Sequence, residues 1–211
     1  MAQSTAEVRD ARRRLKRART ALGGCVRAAA ERAILDSLGE LPVFRRGARI
    51  AMYLPMRGEV DVRPAIEAAW RRGVAVFVPS IVNRRRGRMA FVPWTPGSAR
   101  RRNAYGIEEP AAAAARVPAL QLDAVVLPLV GFDRRGNRLG MGAGFYDRAL
   151  RRRLEAGRAW RRPRLVGVAF ACQELPEIAA SSWDVPLDLI VTEQGVVIPE
   201  RRPATRQGSV R

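Results

Sequence analysis

The sequence predicts an α/β protein, a single domain built on a mostly parallel central sheet flanked by helices. Three observations carry that prediction. Apolar runs at 49–55, 74–79, 123–130, 165–170 and 189–192 read as strands, and several are apolar throughout, as strands of a parallel sheet buried on both faces are. Other segments carry apolar residues at three- and four-residue steps, the helical period. The order strand, loop, helix, strand across 49–79 is a βαβ unit, whose return connection implies parallel pairing. At 211 residues the chain has the length of one domain with a sizeable core. That domain is expected to span 6–198, followed by a basic, disordered tail at 199–211.

Composition narrows the functional classes. No run approaches the roughly 20 apolar residues that span a bilayer, and the N-terminus is charged from Glu7 onward, without the apolar core of a signal peptide. A cytoplasmic protein is the expectation. Cys25 and Cys172 fit no metal or disulfide framework and are expected to be buried thiols. The formal net charge is +19, carried by arginine with Lys16 as the sole lysine. Such a charge invites a nucleic-acid reading. Against it, the arginines are scattered over the whole chain, and there is no RNA-binding aromatic signature, zinc finger or heptad array. A basic surface suits polyanionic small molecules equally well. The absence of histidine excludes Ser-His-Asp and Cys-His catalysis and any histidine-ligated metal.

In chain order, Ala6–Leu22 is a helix, with Val8, Ala11, Leu15, Ala18 and Leu22 on its apolar stripe. Ser4 and Thr5 are cap candidates and Gly23-Gly24 end it. Its polar face (Arg9, Arg12, Arg13, Arg14, Lys16, Arg17, Arg19) reads mostly as a solvated one. A second helix runs from about Val26 to Leu38. The strand 49–55 is closed by Pro55; the loop Met56–Asp61 leads to a helix at Pro64–Arg72, and Gly73 precedes the strand 74–79. Ligands of such sheets sit beyond the carboxyl ends of strands, which is where Leu54 and Glu59 fall. Glu59 is therefore either a surface acid or helix-start residue, or a site residue. Asn83–Arg88 is a basic turn and Met89–Val92 a strand of an accessory hairpin. Residues 97–122 read as loop, with an alanine-rich patch at 111–115. The strand 123–130 leads into a glycine-rich stretch, a helix at Phe145–Leu154, the strand 165–170, a turn at 183–188 and a short strand at 189–192.

The glycine-rich stretch Gly136–Gly144 lies between a strand and a helix, with Asp147 just beyond it. Glycines let backbone turn tightly and approach a ligand closely, and the start of the following helix offers unpaired N–H groups to an anion. Arg138 adds a forked donor for phosphate oxygens, and Asp147 is a candidate magnesium ligand. The spacing is neither the P-loop nor the dinucleotide fingerprint. On these grounds the stretch is either a plain turn or an anion-binding loop.

The phrase Gly-Asn-Arg-Leu-Gly-Met-Gly-Ala-Gly-Phe-Tyr-Asp-Arg (136–148) resembles the signature of the 5-formyltetrahydrofolate cyclo-ligase family, also called methenyltetrahydrofolate synthetases. The likeness runs from about Arg9 to Ile198. Besides the loop and the basic first helix, it rests on Tyr-Leu-Pro-Met-Arg-Gly-Glu-Val-Asp (53–61), Tyr-Gly-Ile-Glu-Glu-Pro (105–110) and Trp-Asp-Val-Pro-Leu-Asp (183–188), in the family's order. The resemblance implies a fold of the kind shared with sugar-phosphate isomerases and CoA transferases. It also implies ATP- and magnesium-dependent conversion of 5-formyltetrahydrofolate to 5,10-methenyltetrahydrofolate by phosphorylation of the formyl oxygen and ring closure.

By the same resemblance, Arg138, Leu139, Gly140, Met141, Gly142, Ala143, Gly144, Phe145 and Tyr146 would bind ATP, with Arg138 and Tyr146 catalytic. Leu54, Glu59 and Tyr146 would bind the folate, and Asp147 and Asp184 would hold magnesium. The first helix would add a basic pair to ATP, with Val8 or Arg9 at its first place and Arg12 or Arg13 at its second; Arg9 and Arg12 are assigned here. Two positions depart from the family pattern: Trp183 stands where many relatives have histidine, and Ala143 where glycine or lysine is common. A monomer with small-molecule substrates is expected. Two other readings stay open, a basic RNA-associated protein on an enzyme-like fold and a phosphotransferase for another substrate.

Overall fold

Seven strands share one sheet in the computed structural model, which describes residues 5–102, 108–111, 115–155 and 162–200. The elements, in chain order, are α1 (Thr5–Ala21), α2 (Gly24–Gly39), β1 (Arg49–Ala51), α3 (Arg63–Arg71), β2 (Ala75–Asn83), β3 (Arg88–Pro93), β4 (Arg100–Arg102), β5 (Glu108–Pro110), β6 (Ala124–Pro128), β7 (Gly131–Phe132), β8 (Arg138–Leu139), α4 (Phe145–Glu155), β9 (Arg164–Val168), β10 (Leu189–Thr192) and β11 (Gly195–Val197). The sheet order is β11-β10-β9-β6-β1-β2-β3. The five inner strands pair in parallel, and β3 and β11 close the two edges antiparallel. The expected βαβ unit is β1-α3-β2, with Ile50 opposite Val76.

Side chains of a strand alternate between faces, and here both faces are covered. Ile50, Val76, Val126, Val166 and Val191 pack with Ile34 and Leu38 of α2 and Ile66 of α3. Their neighbours Ala51, Phe77, Val125, Leu165 and Ile190 pack on the other side with Phe91 and with Leu150 of α4. Helix α1 joins neither layer. Its Leu15 meets Val130, Leu139 and Ile178, so it lies beyond the carboxyl end of β6, where a parallel sheet presents its ligand site.

Several elements differ from the sequence reading. The ladder of β1 ends at Ala51, although the Met52 N–H still donates to the Phe77 carbonyl at 2.9 Å. Residues 97–122, read as loop, contain the β4-β5 hairpin and a 3₁₀ turn at Ala119–Gln121. All three β4 side chains are exposed arginines, which leave no apolar pattern to detect. The glycine-rich stretch opens with a small β7-β8 hairpin, and β11 was not expected. The cysteines are exposed, not buried: Cys25 sits on the outward side of the first turn of α2, and Cys172 in a 3₁₀ turn whose inward residue is Gln173. Residues 105–107 of the 105–110 motif, 112–114 of the alanine-rich patch and 201–211 of the expected tail lie outside the described residues. No helix among the described residues is long and apolar enough to cross a membrane.

Asp133 fastens the base of the glycine-rich stretch. Fully buried, its carboxylate accepts from the N–H groups of Arg135 and Asn137 at 3.0 Å each, the Asn137 amide at 2.8 Å and the Ile178 N–H at 2.9 Å. Asp133→Ala would strand those donors in the interior. The expected cost is about 3–5 kcal/mol in urea unfolding; a loss under about 1 kcal/mol would show that the hairpin is held otherwise.

Candidate active site

The segment Leu139–Asp147 forms a wall between two hollows. On one side is a cleft of about 840 Å³ lined by Arg12, Arg138, Asp147, Arg148, Arg151, Asp184 and the loop backbone. On the other is a pocket of about 230 Å³ lined mainly by apolar groups, among them Leu54, Met56, Pro79, Ile81, Met89, Leu129 and Phe145, with Tyr53, Glu59, Glu108, Tyr146 and Asp147 as polar members. Ala143, Gly144 and Asp147 border both. The wall is thin because it is backbone. Gly144 has φ +61°, a left-handed conformation that favours glycine, and a Cβ there would stand 2.9 Å from the Arg148 guanidinium.

In the cleft, the Arg138 guanidinium donates to the Asp147 Oδ1 and to the Val185 carbonyl. The Val185 N–H donates to the same Oδ1 at 3.3 Å. Gly136 O accepts from the Leu187 N–H at 2.9 Å, so the 183–188 turn is sewn to the glycine-rich stretch at both ends. Asp184 uses Oδ2 to accept the Ser181 N–H at 2.8 Å. From α1, the Arg12 Nε donates to the Gly140 carbonyl at 2.8 Å. Arg148 donates to the carbonyls of Ala143 and, at 3.0 Å, Gly87, which links the loop to the basic turn of the β2-β3 hairpin.

In the pocket, Glu59 sits after a tight turn: its N–H donates to the Met56 carbonyl at 2.9 Å, and Gly58 at φ +82° takes the position that requires a left-handed residue. The Met56 N–H donates back to Glu59 Oε2 at 2.9 Å. Glu59 is 7% exposed. Burial raises its pKa from the ordinary glutamate value, opposed by the Met56 N–H and by the positive charges of Arg19 and Lys16. Tyr53, whose hydroxyl donates to the Val60 carbonyl at 2.9 Å, lines the pocket beside it. Burial raises both tyrosines' pKa values, and the Glu59 charge adds to the effect. Both phenols are therefore neutral donors near pH 7.

The residues singled out in the sequence divide between the hollows. Arg12, Arg138, Leu139, Gly140, Gly142, Ala143, Gly144, Asp147 and Asp184 line the cleft. Leu54, Glu59, Met141, Phe145 and Tyr146 line the pocket, so Met141 and Phe145, assigned to ATP alone, face the other side of the wall, as does Tyr146, assigned to both ligands. Arg9 is exposed and borders neither hollow. Sequence reasoning missed Tyr53, Arg148 and above all Arg19. Arg19 was placed on the solvated face of α1, yet it is 4% exposed and donates to the Leu129 carbonyl at 3.0 Å. A signal was present: 15, 19 and 22 follow the same four- and three-residue steps as the apolar stripe. No group of three or more acidic or sulfur ligands fit for a metal ion occurs among the described residues.

A polar, arginine-lined cleft separated by one strand of backbone from an apolar pocket with a single buried carboxylate suits two different substrates that react across the wall. Comparisons with known proteins place the chain in a family. The model of the 5-formyltetrahydrofolate cyclo-ligase family matches residues 3–193. The 5-formyltetrahydrofolate cyclo-ligase of Haemophilus influenzae is 33% identical over 166 residues, covering 77% of this chain and 85% of its own, and that of Escherichia coli K12 is 37% identical over 150, covering 70% and 79%. The solved 5,10-methenyltetrahydrofolate synthetase of Aquifex aeolicus superposes with a TM-score of 0.76 at 26% identity, covering 97% of this chain and 99% of its own. The chain belongs to the 5-formyltetrahydrofolate cyclo-ligase family.

Proposed function

We propose that the chain converts 5-formyltetrahydrofolate to 5,10-methenyltetrahydrofolate with cleavage of ATP to ADP and phosphate. The observation that carries this reading is the shared border of the two hollows at Ala143, Gly144 and Asp147. The triphosphate occupies the cleft, among arginine side chains and loop N–H groups. The reduced pterin occupies the apolar pocket, with Glu59 accepting from its N–H groups. The formyl oxygen then faces the γ-phosphorus at the wall.

The formyl oxygen attacks that phosphorus, and the bond to the ADP oxygen breaks. The former amide oxygen is now a phosphate ester, a good leaving group. The neighbouring secondary amine adds to the carbon and loses its proton, the carbon–oxygen bond breaks and phosphate departs with the ring closed. Such transfer depends on position and charge neutralisation, and Arg138, fixed by two hydrogen bonds, supplies a preorganised charge. Magnesium fits the donor set. Asp147 Oδ2 and Asp184 Oδ1 have no protein partner among the described residues, and magnesium takes one or two carboxylates together with phosphate and water. Those carboxylates would hold the ion, which would neutralise charge on the triphosphate. The chain is read as a cytoplasmic monomer, which sedimentation and cell fractionation would test.

The test follows the near-ultraviolet absorbance of methenyltetrahydrofolate on mixing the chain with 5-formyltetrahydrofolate, ATP and magnesium. A rise that needs all four components is expected. No rise with folded protein would overturn the reading. Within this reading, Glu59→Gln keeps the side chain's shape but weakens it as an acceptor; the folate KM is expected to rise about tenfold or more, with the ATP KM within about twofold. Equal rises would contradict a place for Glu59 on the folate side alone.

A further inference from the structure

One buried charge beside the folate pocket, that of Arg19, has no part in the reaction scheme above. Arg19 and Glu59 are both more than nine-tenths buried, on different elements, and come within 3.8 Å of one another. That separation is too long for a hydrogen bond, so the contact is one of charge alone. Glu59 Oε2 is taken by the Met56 N–H, and Oε1 faces Arg19 without a hydrogen bond from any described residue. Arg19 itself is held: Nη1 donates to the carbonyl of Leu129, a wall residue of the folate pocket, and its stem packs against Gly58, whose added Cβ would lie 3.8 Å from Arg19 Cγ. Its Nε is buried without a partner among the described residues. A guanidinium in such a place, incompletely satisfied, is costly in stability. Its use lies in what it does to its neighbour.

We propose that Arg19 is a positioning residue of the folate site, which keeps Glu59 a charged acceptor and leaves Oε1 open to the ligand. This rests on the folate reading of the pocket. A carboxylate buried among apolar groups tends to take up a proton, and a protonated Glu59 would lose the acceptor strength that pterin N–H groups require. The groups facing Glu59 from the packed elements are Arg19 and Lys16 of α1, Tyr53 after β1 and Tyr146 of α4, while Arg27 of α2 donates to the Glu59 backbone carbonyl at 2.6 Å. Both tyrosines are neutral near pH 7, and Arg19 is the one cation among these groups that lies against the carboxylate. Arginine suits the place better than lysine because it stays protonated when buried.

The test compares Arg19→Met, Arg19→Lys and the native chain. Steady-state kinetics are measured across pH, and carboxyl-carbon NMR follows the titration of Glu59 in the ligand-free protein. Arg19→Met removes the charge and keeps the stem. It is expected to move the Glu59 titration, and with it the acidic limb of kcat/KM for the folate, to higher pH. The folate KM near neutrality should rise at least about tenfold, and the ATP KM should stay within about twofold. Arg19→Lys, which restores a cation, should return the limb most of the way.

A folded Arg19→Met chain with the Glu59 titration and folate KM unchanged would overturn the proposal and leave Arg19 a purely structural residue. If Arg19→Met does not fold, the double variant Arg19→Met, Glu59→Gln removes both charges together. It should bind folate about as weakly as Glu59→Gln alone, and a further multiplicative loss would overturn the proposal. A native chain without turnover would instead sink the folate reading, and the NMR titration would still decide whether Arg19 sets the Glu59 charge.

Discussion

Asp147→Ala is expected to lower kcat by at least about a thousandfold. The residue stands where both hollows meet, and its Oδ1 collects Arg138 and the Val185 N–H. Without it, the guanidinium loses one of its two anchors, the 183–188 turn loses its tie to α4, and phosphate charge gathers in a cleft already short of a metal carboxylate. Asp147→Asn separates these effects: an amide oxygen can still receive the Val185 N–H but offers a metal far less. The loss should be nearly as large for asparagine, and raising magnesium should recover part of it. Steady-state rates at several magnesium concentrations check this. Rates within about tenfold of native in either variant would remove both the metal assignment and the charge argument.

Arg138→Lys is expected to be almost as damaging, with kcat down about a hundredfold or more and the folate KM little changed. Arg138 spans two acceptors, Val185 O and Asp147 Oδ1, from one planar fork. A lysine brings the charge but only a point donor, so it cannot hold both at once, and the cation would no longer be fixed where transferring charge develops. The substitution leaves the apolar pocket intact, which is why folate binding should survive. A kcat within about threefold of native would show that a mobile charge suffices. A folate KM that rose in step with the loss of rate would mean that the wall itself had shifted.

The strands were legible where burial on both faces left runs rich in Val, Ile and Leu, as in β6, β9 and β10, and the helices where an apolar stripe recurred. What escaped lacks such patterns. Strand β4 is three arginines, β7 and β8 are two residues each, and their pairing rests on the turn chemistry of Asp133 and Gly136 instead of periodicity. In the site, residue type and order pointed to Glu59, Arg138 and Asp147, since glycines and a carboxylate at a strand-to-helix junction carry their chemistry locally. Which side of the wall each loop residue faces depends on backbone turns, so Met141 and Phe145 could not be told from Gly140 and Gly142. Arg19 hid among many arginines, because its difference lies only in what surrounds it.

Helix α1 lends a residue to each half of the site: Arg12 reaches the loop carbonyl of Gly140 on the cleft side, and Arg19 reaches Glu59 and Leu129 on the pocket side. The two residues are two helical turns apart, roughly 10.5 Å along the axis, on a rod pinned between them by Leu15. A ligand that reseats one end of a rigid rod changes the standing of the other. Free-energy linkage then requires reciprocity: whatever factor bound nucleotide imposes on folate affinity through α1, bound folate imposes on nucleotide affinity.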